Sequence, residues 1–325
     1  MKKTTLTIIL LLIVSTLNAQ SSYFVTAKKG LNIRTEPMSS SEIQGKLPYG
    51  TVIQEILEKT DSTLSIVDNG NIINGNWVKV KYNNYGYLVS QETEQFEKTG
   101  YIFDGYLEKL NKGSVQLDSL TKINFQELKN KAHKNTIKLR KITNLDSIKE
   151  LLKDRVEWVT SGFEDDMERD DALKSIITAH GQKLIISQVG NDYGFVDEDD
   201  WSGYYPEEEI LVLEGGHSSD VCFSIKTGEN TETIGNPDYI ISSPNNMYRL
   251  NGYFGGQECI SYFFQYKEAS EFKYLTEFGW DYDVCTFKEF YWLTDTTFIY
   301  SRMDYVNDSV NGEKKYFKGK IVFNK

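Results

Sequence analysis

Six residues, Trp77-Val78-Lys79-Val80-Lys81-Tyr82, constrain the first third of the chain more than any other feature. Apolar and polar side chains alternate along them, and a strand turns successive side chains to opposite faces. Val78, Val80 and Tyr82 therefore share one face, with Trp77, Lys79 and Lys81 on the other. A very small barrel has one packed interior, and the valines suit it better than lysines would. Trp77 is thus expected on the outer face, half exposed unless a ligand or a neighbouring segment covers it. Turn chemistry bounds the run, with Asn74-Gly75-Asn76 before it and Asn83-Asn84 and Gly86 after it. Tyr87-Leu88-Val89 then resumes the strand pattern.

The same texture extends back to Tyr23. Leu31-Asn32-Ile33-Arg34 alternates, and Glu36-Pro37 ends it because proline donates no ladder hydrogen bond. Gly45-Lys46-Leu47-Pro48-Tyr49-Gly50 punctuates the middle, and Thr51 to Glu58 is a second β-branched run. Taken in order, Gly30-Leu31-Asn32-Ile33-Arg34-Thr35-Glu36-Pro37, Gly45 to Gly50, Trp77-Val78-Lys79-Val80 and Gly86-Tyr87 resemble the bacterial SH3 (SH3b) family. The resemblance spans about 70 residues, and one departure is a long polar insertion from Asp61 to Ile73, placed to extend an edge hairpin and partly cover a groove. It implies a five- or six-strand barrel that binds peptides or cell-wall material and rarely catalyses. Tyr49, Trp77, Tyr82, Tyr85 and Tyr87 are the candidate ligand-binding residues, since flat rings with polar tips suit half-wet sites. The alternative for each is packing in or around a small core. Asn32, Arg34 and Glu36 read as structural, as an Arg–carboxylate pair and a turn.

The first residues have the form of a secretory signal. Lys2 and Lys3 precede an apolar core from Leu6 to Val14, and Leu17-Asn18-Ala19 offers a cut between Ala19 and Gln20. The core is too short for a membrane span, and no cysteine follows the cut to carry a lipid. The expected protein is secreted or periplasmic, with no membrane insertion. Acidic residues outnumber basic ones 47 to 36, and the barrel region is nearly balanced, so the excess lies beyond residue 90. Without a basic stripe, nucleic acid is not an expected partner.

Beyond Gln91 the sequence becomes polar and its periodicity helical. Asn124-Phe125-Gln126-Glu127 has the form of a capping box with Asn124 as N-cap. Leu145, Ile148, Leu151, Leu152, Val156 and Val159 recur at helical spacing after Asn144. Glu164 to Ala179 reads as a further helix with an acidic start, stopped by Gly181. From Leu184 on, apolar and aromatic runs between Gly, Asn, Pro and Asp predict antiparallel sheet. Ile241-Ser242-Ser243-Pro244-Asn245-Asn246 before Tyr248 and Trp292-Leu293-Thr294-Asp295-Thr296-Thr297 before Phe298 echo each other like propeller-blade turns. Residues 183–325 are too few for four blades, so ordinary hairpins in one sheet are expected.

Chemistry-bearing patterns are sparse. Cys222, Cys259 and Cys285 show no CxxC spacing and read as small buried residues, with one disulfide among them possible in an exported protein. Asp220-Val221-Cys222-Phe223 and Gly255-Gly256-Gln257-Glu258-Cys259 each share fragments with wall-cutting families, but no histidine follows residue 217 to activate either thiol. His133, His180 and His217 are too scattered for a zinc site. The dense carboxylates of Val196 to Trp201 and Pro206 to Glu209 lack the EF-hand order and read as solvated loops. No cofactor and no metal are expected. The sequence therefore describes a β-rich, multidomain protein: a signal peptide at 1–19, an SH3-like barrel at 20–97, a polar helical segment at 98–182 and a β-rich region at 183–325. The last two pack as one α+β domain with a mainly antiparallel sheet. It reads as a binding protein for a cell-wall peptide, a glycan or an envelope protein, and not as an enzyme; the alternative is an exported hydrolase acting through residues 98–325. Ligand identity, the cysteine pairing, the role of the second domain and the oligomeric state stay open.

Overall fold

The computed structural model describes residues 22–323, apart from 48, 54, 69, 84–96, 111, 134–137, 162–168, 180, 182, 186–200, 215–217, 257–258, 279–286 and 304–311. The expected signal segment with its Ala19–Gln20 cut, Tyr85, Tyr87 and the acidic start of the helix expected from Glu164 lie outside the described residues. The chain opens with β1 (Tyr23–Val25), β2 (Leu31–Arg34), β3 (Ile43–Leu47), β4 (Val52–Ile53) and β5 (Ile56–Lys59). The insertion forms a hairpin, β6 (Leu64–Asp68) and β7 (Asn71–Gly75), followed by β8 (Trp77–Asn83), β9 (Glu97–Phe103) and β10 (Leu107–Lys109). Five strands hydrogen-bond in the order β3-β2-β9-β8-β5, and a smaller sheet β10-β1-β4 closes against them. Alternation places Val78 and Val80 inside with Val25, Ile33 and Ile102, all essentially inaccessible.

Three details depart from the sequence reading. The turn expected at Asn74-Gly75-Asn76 lies instead at Asp68–Asn71, and Asn74 and Gly75 continue β7. Gly75 is required there by close approach: a Cβ would sit 2.5 Å from the Gly105 nitrogen. Among the described residues Arg34 has no carboxylate partner; its guanidinium donates to the Ser41 carbonyl at 2.5 Å. The barrel also runs past residue 97, because β9 supplies Ile102 to the interior and β10 pairs with β1. The sequence boundary cut through its last long strand.

The remainder is strand-rich from the start. After β11 (Gly113–Leu120) come α1 (Lys122–Lys129), α2 (Leu145–Leu152), β12 (Val156–Ser161), β13 (Arg169–Ile177) and β14 (Lys183–Ile185). The chain continues with β15 (Trp201–Tyr205), β16 (Ile210–Glu214), β17 (Asp220–Ser224), α3 (Thr231–Ile234), β18 (Ile241–Ser242), β19 (Tyr248–Phe254), β20 (Ile260–Glu268) and β21 (Glu271–Glu277). It ends with β22 (Phe287–Trp292), β23 (Thr297–Met303) and β24 (Lys314–Phe323). These form four antiparallel sheets in chain order, β12–β14, β15–β17, β18–β21 and β22–β24, and β11 returns to pair with β24 as the outer strand of the fourth.

The expectation of one sheet is therefore corrected, and so is the helical segment at 98–182. β10, β11, β12, β13 and all of β9 but Glu97 fall within it. Val156 does not extend the helix of Ile148 and Leu152 but begins β12, and the stretch read as a helix up to Ala179 is β13 where it is described. β-Branched residues fit a pleated surface better than a helix. The Asn144 cap does hold, its carboxamide accepting from the Ser147 N–H at 2.9 Å. The other cap shifts by three residues, with Thr121 capping α1 through the Asn124 N–H at 3.2 Å.

The sheets stack face to face. Ile148, Ile176, Leu211 and Phe223 fill the layer between the first and second, and Leu250, Phe264, Trp292 and Phe298 that between the third and fourth. The third sheet's opposite face is polar where it meets α3: the Asn251 amide donates to the Ile234 carbonyl at 2.5 Å, and Gln265 to Thr233 at 2.8 Å. The two echoing turns meet across the third and fourth sheets. The Asp295 carboxylate accepts from the Ser243 hydroxyl at 2.7 Å and from the Asn245 backbone and side-chain amides at 2.9 and 2.8 Å. Those hydrogen bonds hold its pKa below the ordinary aspartate value, although burial works against them. Cys259 is disulfide-bonded, Cys222 is a free and fully buried thiol, and Cys285 lies outside the described residues.

Candidate functional site

Of the aromatic residues singled out in the barrel, the two whose side chains are described, Tyr49 and Trp77, lie in different places. Tyr49 sits in the turn between β3 and β4 and faces the third sheet, whereas Trp77 lies under the β6–β7 hairpin. Tyr82 pairs with Lys98 across β8 and β9, but its side chain, like Tyr85 and Tyr87, is outside the described residues.

Trp77, paired with Phe103, stands on the outward face of β8, as alternation required, because its neighbour Val78 and that valine's partner Ile102 point inward. The expected half exposure is not found: Trp77 is 6% exposed. Ile66 and Ile73 of the insertion pack on the cluster that contains it, and Phe103 meets it edge to face at 6.0 Å. Its backbone is pinned as well, with Thr60 N–H donating to the Trp77 carbonyl at 2.9 Å and the Trp77 N–H donating to the Thr60 hydroxyl at 3.2 Å.

The Tyr49 side of the barrel docks on the third sheet. Phe24 and Val52 pack against Leu110, Phe263 and Tyr274, and the two last rings stack at 5.3 Å. Beside this apolar seam lies a cavity of about 170 Å3. Phe24, Thr26 and Tyr49 of the barrel line it together with Glu108, Lys109, Leu110 and Lys112, and with Glu229, Thr233, Glu268, Lys273 and Tyr274. Gly50, with φ near +84°, lets the turn lie flat on the segment around Glu229; a Cβ there would touch the Glu229 Cα at 3.4 Å.

Glu229 is the unusual group of this cavity. The loop before it is drawn tight by the Ser224 N–H donating to the Glu229 carbonyl at 2.9 Å and the Thr227 hydroxyl donating to its carboxylate at 3.0 Å. Burial raises its pKa above the ordinary glutamate value, against the lowering effect of Lys273. Burial also works to discharge Lys273, but the charge of Glu229 and a hydrogen bond to Glu271 outweigh it, leaving the ammonium pKa raised. Glu271 itself is clamped by Lys226 and Lys273, both at 3.1 Å, and stays ionised more readily than usual. Burial, and then the charge of Glu229, push the Tyr49 phenol up to about 12. The cavity thus presents a phenol that keeps its proton, an ammonium and a buried carboxyl that gives up its proton less readily than usual. Polar and titratable groups that converge on one concavity and perturb one another mark a candidate ligand site.

Glu229 escaped the sequence reading because Gly228-Glu229-Asn230 is plain turn composition; only its burial marks it. A larger groove of about 450 Å3 runs between Ser119–Lys122 and Glu313–Phe317, but none of its lining residues is buried. The carboxylates of Pro206 to Glu209 are not arranged for calcium. Glu207, Glu208 and Glu209 each face an arginine, namely Arg140, Arg249 and Arg155, at 3.6, 2.8 and 3.6 Å. Among the described residues no cluster of three metal-ligating side chains occurs, and no helix is long and apolar enough to cross a membrane. His180 and His217 lie outside the described residues. The Cys222 thiol is pushed well above its ordinary pKa by burial, so it holds its proton.

No curated protein and no solved structure matches the chain. A family model does match the barrel, over residues 29–108, a span that begins just before β2 and takes in β9 and β10, and its description is "Bacterial SH3 domain". Residues 29–108 are a bacterial SH3 domain.

Proposed function

We propose that the protein is an exported, envelope-associated binding protein whose SH3 domain and third sheet together hold a cell-wall peptide in the cavity at their seam. Bacterial SH3 domains are typically cell-wall binding modules and typically occur in extracytoplasmic proteins. The observation that carries the reading is the convergence of Tyr49, Glu229 and Lys273 from the two parts of the chain on one small cavity. Wall peptides carry amines, carboxylates and carbonyls. An ammonium at Lys273 suits a carboxylate, the Tyr49 phenol donates to a carbonyl, and Glu229 accepts from an amine.

The test is calorimetric titration of the full chain with a short wall-type peptide bearing a free amine and a free carboxylate. Lys273→Met and Tyr49→Phe are expected to weaken binding by about tenfold each, the loss of one well-formed charged or buried hydrogen bond, with the melting temperature kept. Unchanged affinity in both variants rejects the site. One observation favours a second reading, an exported hydrolase: a buried carboxyl with a raised pKa is the form a general acid takes. Release of soluble fragments from purified wall, abolished by Glu229→Gln, is what that reading requires.

A further inference from the structure

The outward face of β8 and β9, with the short turn that follows β9, holds three rings in an edge-to-face chain, Trp77 to Phe103 at 6.0 Å and Phe103 to Tyr106 at 6.2 Å. An outward strand face meets solvent unless another element covers it. The cover here is the β6–β7 hairpin, and its attachment is slight. Among the described strands it hydrogen-bonds to none but its own partner, and an isolated two-stranded hairpin is at best marginally stable. It rests on the barrel through Ile66 and Ile73, and its tip is held by the Tyr106 hydroxyl donating to the Asp68 carboxylate at 2.7 Å. Beneath it the Trp77 indole N–H is buried with no acceptor among the described residues. Native interiors seldom leave such a donor unmet, and a ligand oxygen would meet it.

We propose that residues 64–75 are a lid, latched by Asp68 on Tyr106, over a second binding surface, and that the open surface takes a neutral glycan strand. The base of the hairpin is anchored where Gly75 lies against Gly105, so the tip is the part free to lift. The chemistry favours a sugar over a charged ligand. Among the described residues the charged side chains beside the rings are already engaged: Asp104 by Lys59 at 2.8 Å and by the Asn76 N–H at 2.6 Å, Lys79 by the Tyr101 ring at 5.8 Å, and Asp68 leaves with the hairpin. What opening exposes is aromatic face plus two donors, the Trp77 N–H and the Tyr106 hydroxyl released from Asp68. Sugar rings offer C–H faces to the first and hydroxyl or acetamido oxygens to the second. The surface shares no residue with the Tyr49 cavity, so either site can fail without the other.

Hydrogen exchange on the full chain, beside titration with an N-acetylglucosamine oligomer, tests this. Residues 64–75 are expected to exchange together, roughly tenfold or more faster than Val78, Val80 and Ile102. Asp68→Ala and Tyr106→Phe should each speed that exchange further. Asp68→Ala should also tighten oligomer binding by the factor by which it raises the open fraction. Trp77→Phe in the Asp68→Ala background keeps a ring but removes the donor, and should weaken oligomer binding while the melting temperature shows the barrel folded. A hairpin that exchanges no faster than β8 and β9 overturns the lid. A hairpin that opens without binding the oligomer, or binding that survives Trp77→Phe, overturns the glycan surface.

Discussion

The SH3 domain has two contrasting outer faces. Around Tyr49 the surface is polar and charged, shaped jointly with the third sheet, and its ionisable groups perturb one another. Around Trp77 the surface is aromatic and dry, and it is covered by a segment of the domain's own chain. The contrast teaches that aromatic content alone does not locate a site on a small barrel. Tyr49 acquires its setting from a loop almost two hundred residues further along, and Trp77 loses its solvent to an insertion that ends only a few residues before it. What surrounds each ring decides its role.

The largest effect that can break this contrast is expected at Trp77. If the hairpin buries it as a core residue, Trp77→Ala costs about 3–5 kcal/mol, the range for emptying a buried aromatic site, and thermal melting shows a fall of many degrees. A fall of only a degree or two would mean that the face is open most of the time. Val80→Ala provides the ruler from inside the barrel. Losing two buried methyl groups costs about 2 kcal/mol, so Trp77→Ala should be the more damaging of the pair by melting temperature.

Next in size is a pH effect on the Tyr49 side. Burial lifts the Glu229 pKa in the folded state above its value in the unfolded chain, so folding favours the protonated acid. Its favourable contribution is complete below the unfolded-chain pKa and is lost as pH rises through the folded value. Glu229→Gln removes that loss. Melting temperatures followed from acid to neutral pH should therefore decline less for the variant, which at neutral pH is at least as stable as the parent. A variant less stable at neutral pH would show that Glu229 is ionised and committed to Lys273, a structural ion pair in place of a poised cavity. The smallest effect is expected on the hairpin's outward face, where Val67 and Ile72 are paired across the strands and exposed. Val67→Ser and Ile72→Ser should each move stability by no more than about 0.5 kcal/mol; a larger change would place that face against another part of the protein.

The barrel was legible because its signals are local. Alternation through Trp77 to Tyr82 placed both valines inside and the tryptophan outside, and the polar insertion was recognisable as a cover for an edge groove. Whether Trp77 was wet or dry depended on how Ile66 and Ile73 pack, which no periodicity records. The four sheets were harder. Short apolar runs such as Val156 to Val159 fit a helix and a strand equally well by spacing, and the helical reading concealed the strands that begin the stack. With those strands counted, the echoing turns at Ser243 and Asp295 belong to successive sheets, held together by a carboxylate. Glu229 was illegible altogether, since its character comes from burial by two distant segments.

The pairing of β11 with β24 also governs how such a chain can assemble. β11 emerges soon after the strands of the SH3 domain, while its partner begins at Lys314, far along the chain. Until Lys314–Phe323 arrives, the nascent chain carries an unmatched strand edge, the kind that invites pairing with other chains. The SH3 domain has no such wait, because its own strands are complete before β11 appears. A chain broken off between β11 and β24 would thus hold one finished module and one open edge, and that single long-range pairing decides whether the edge is closed.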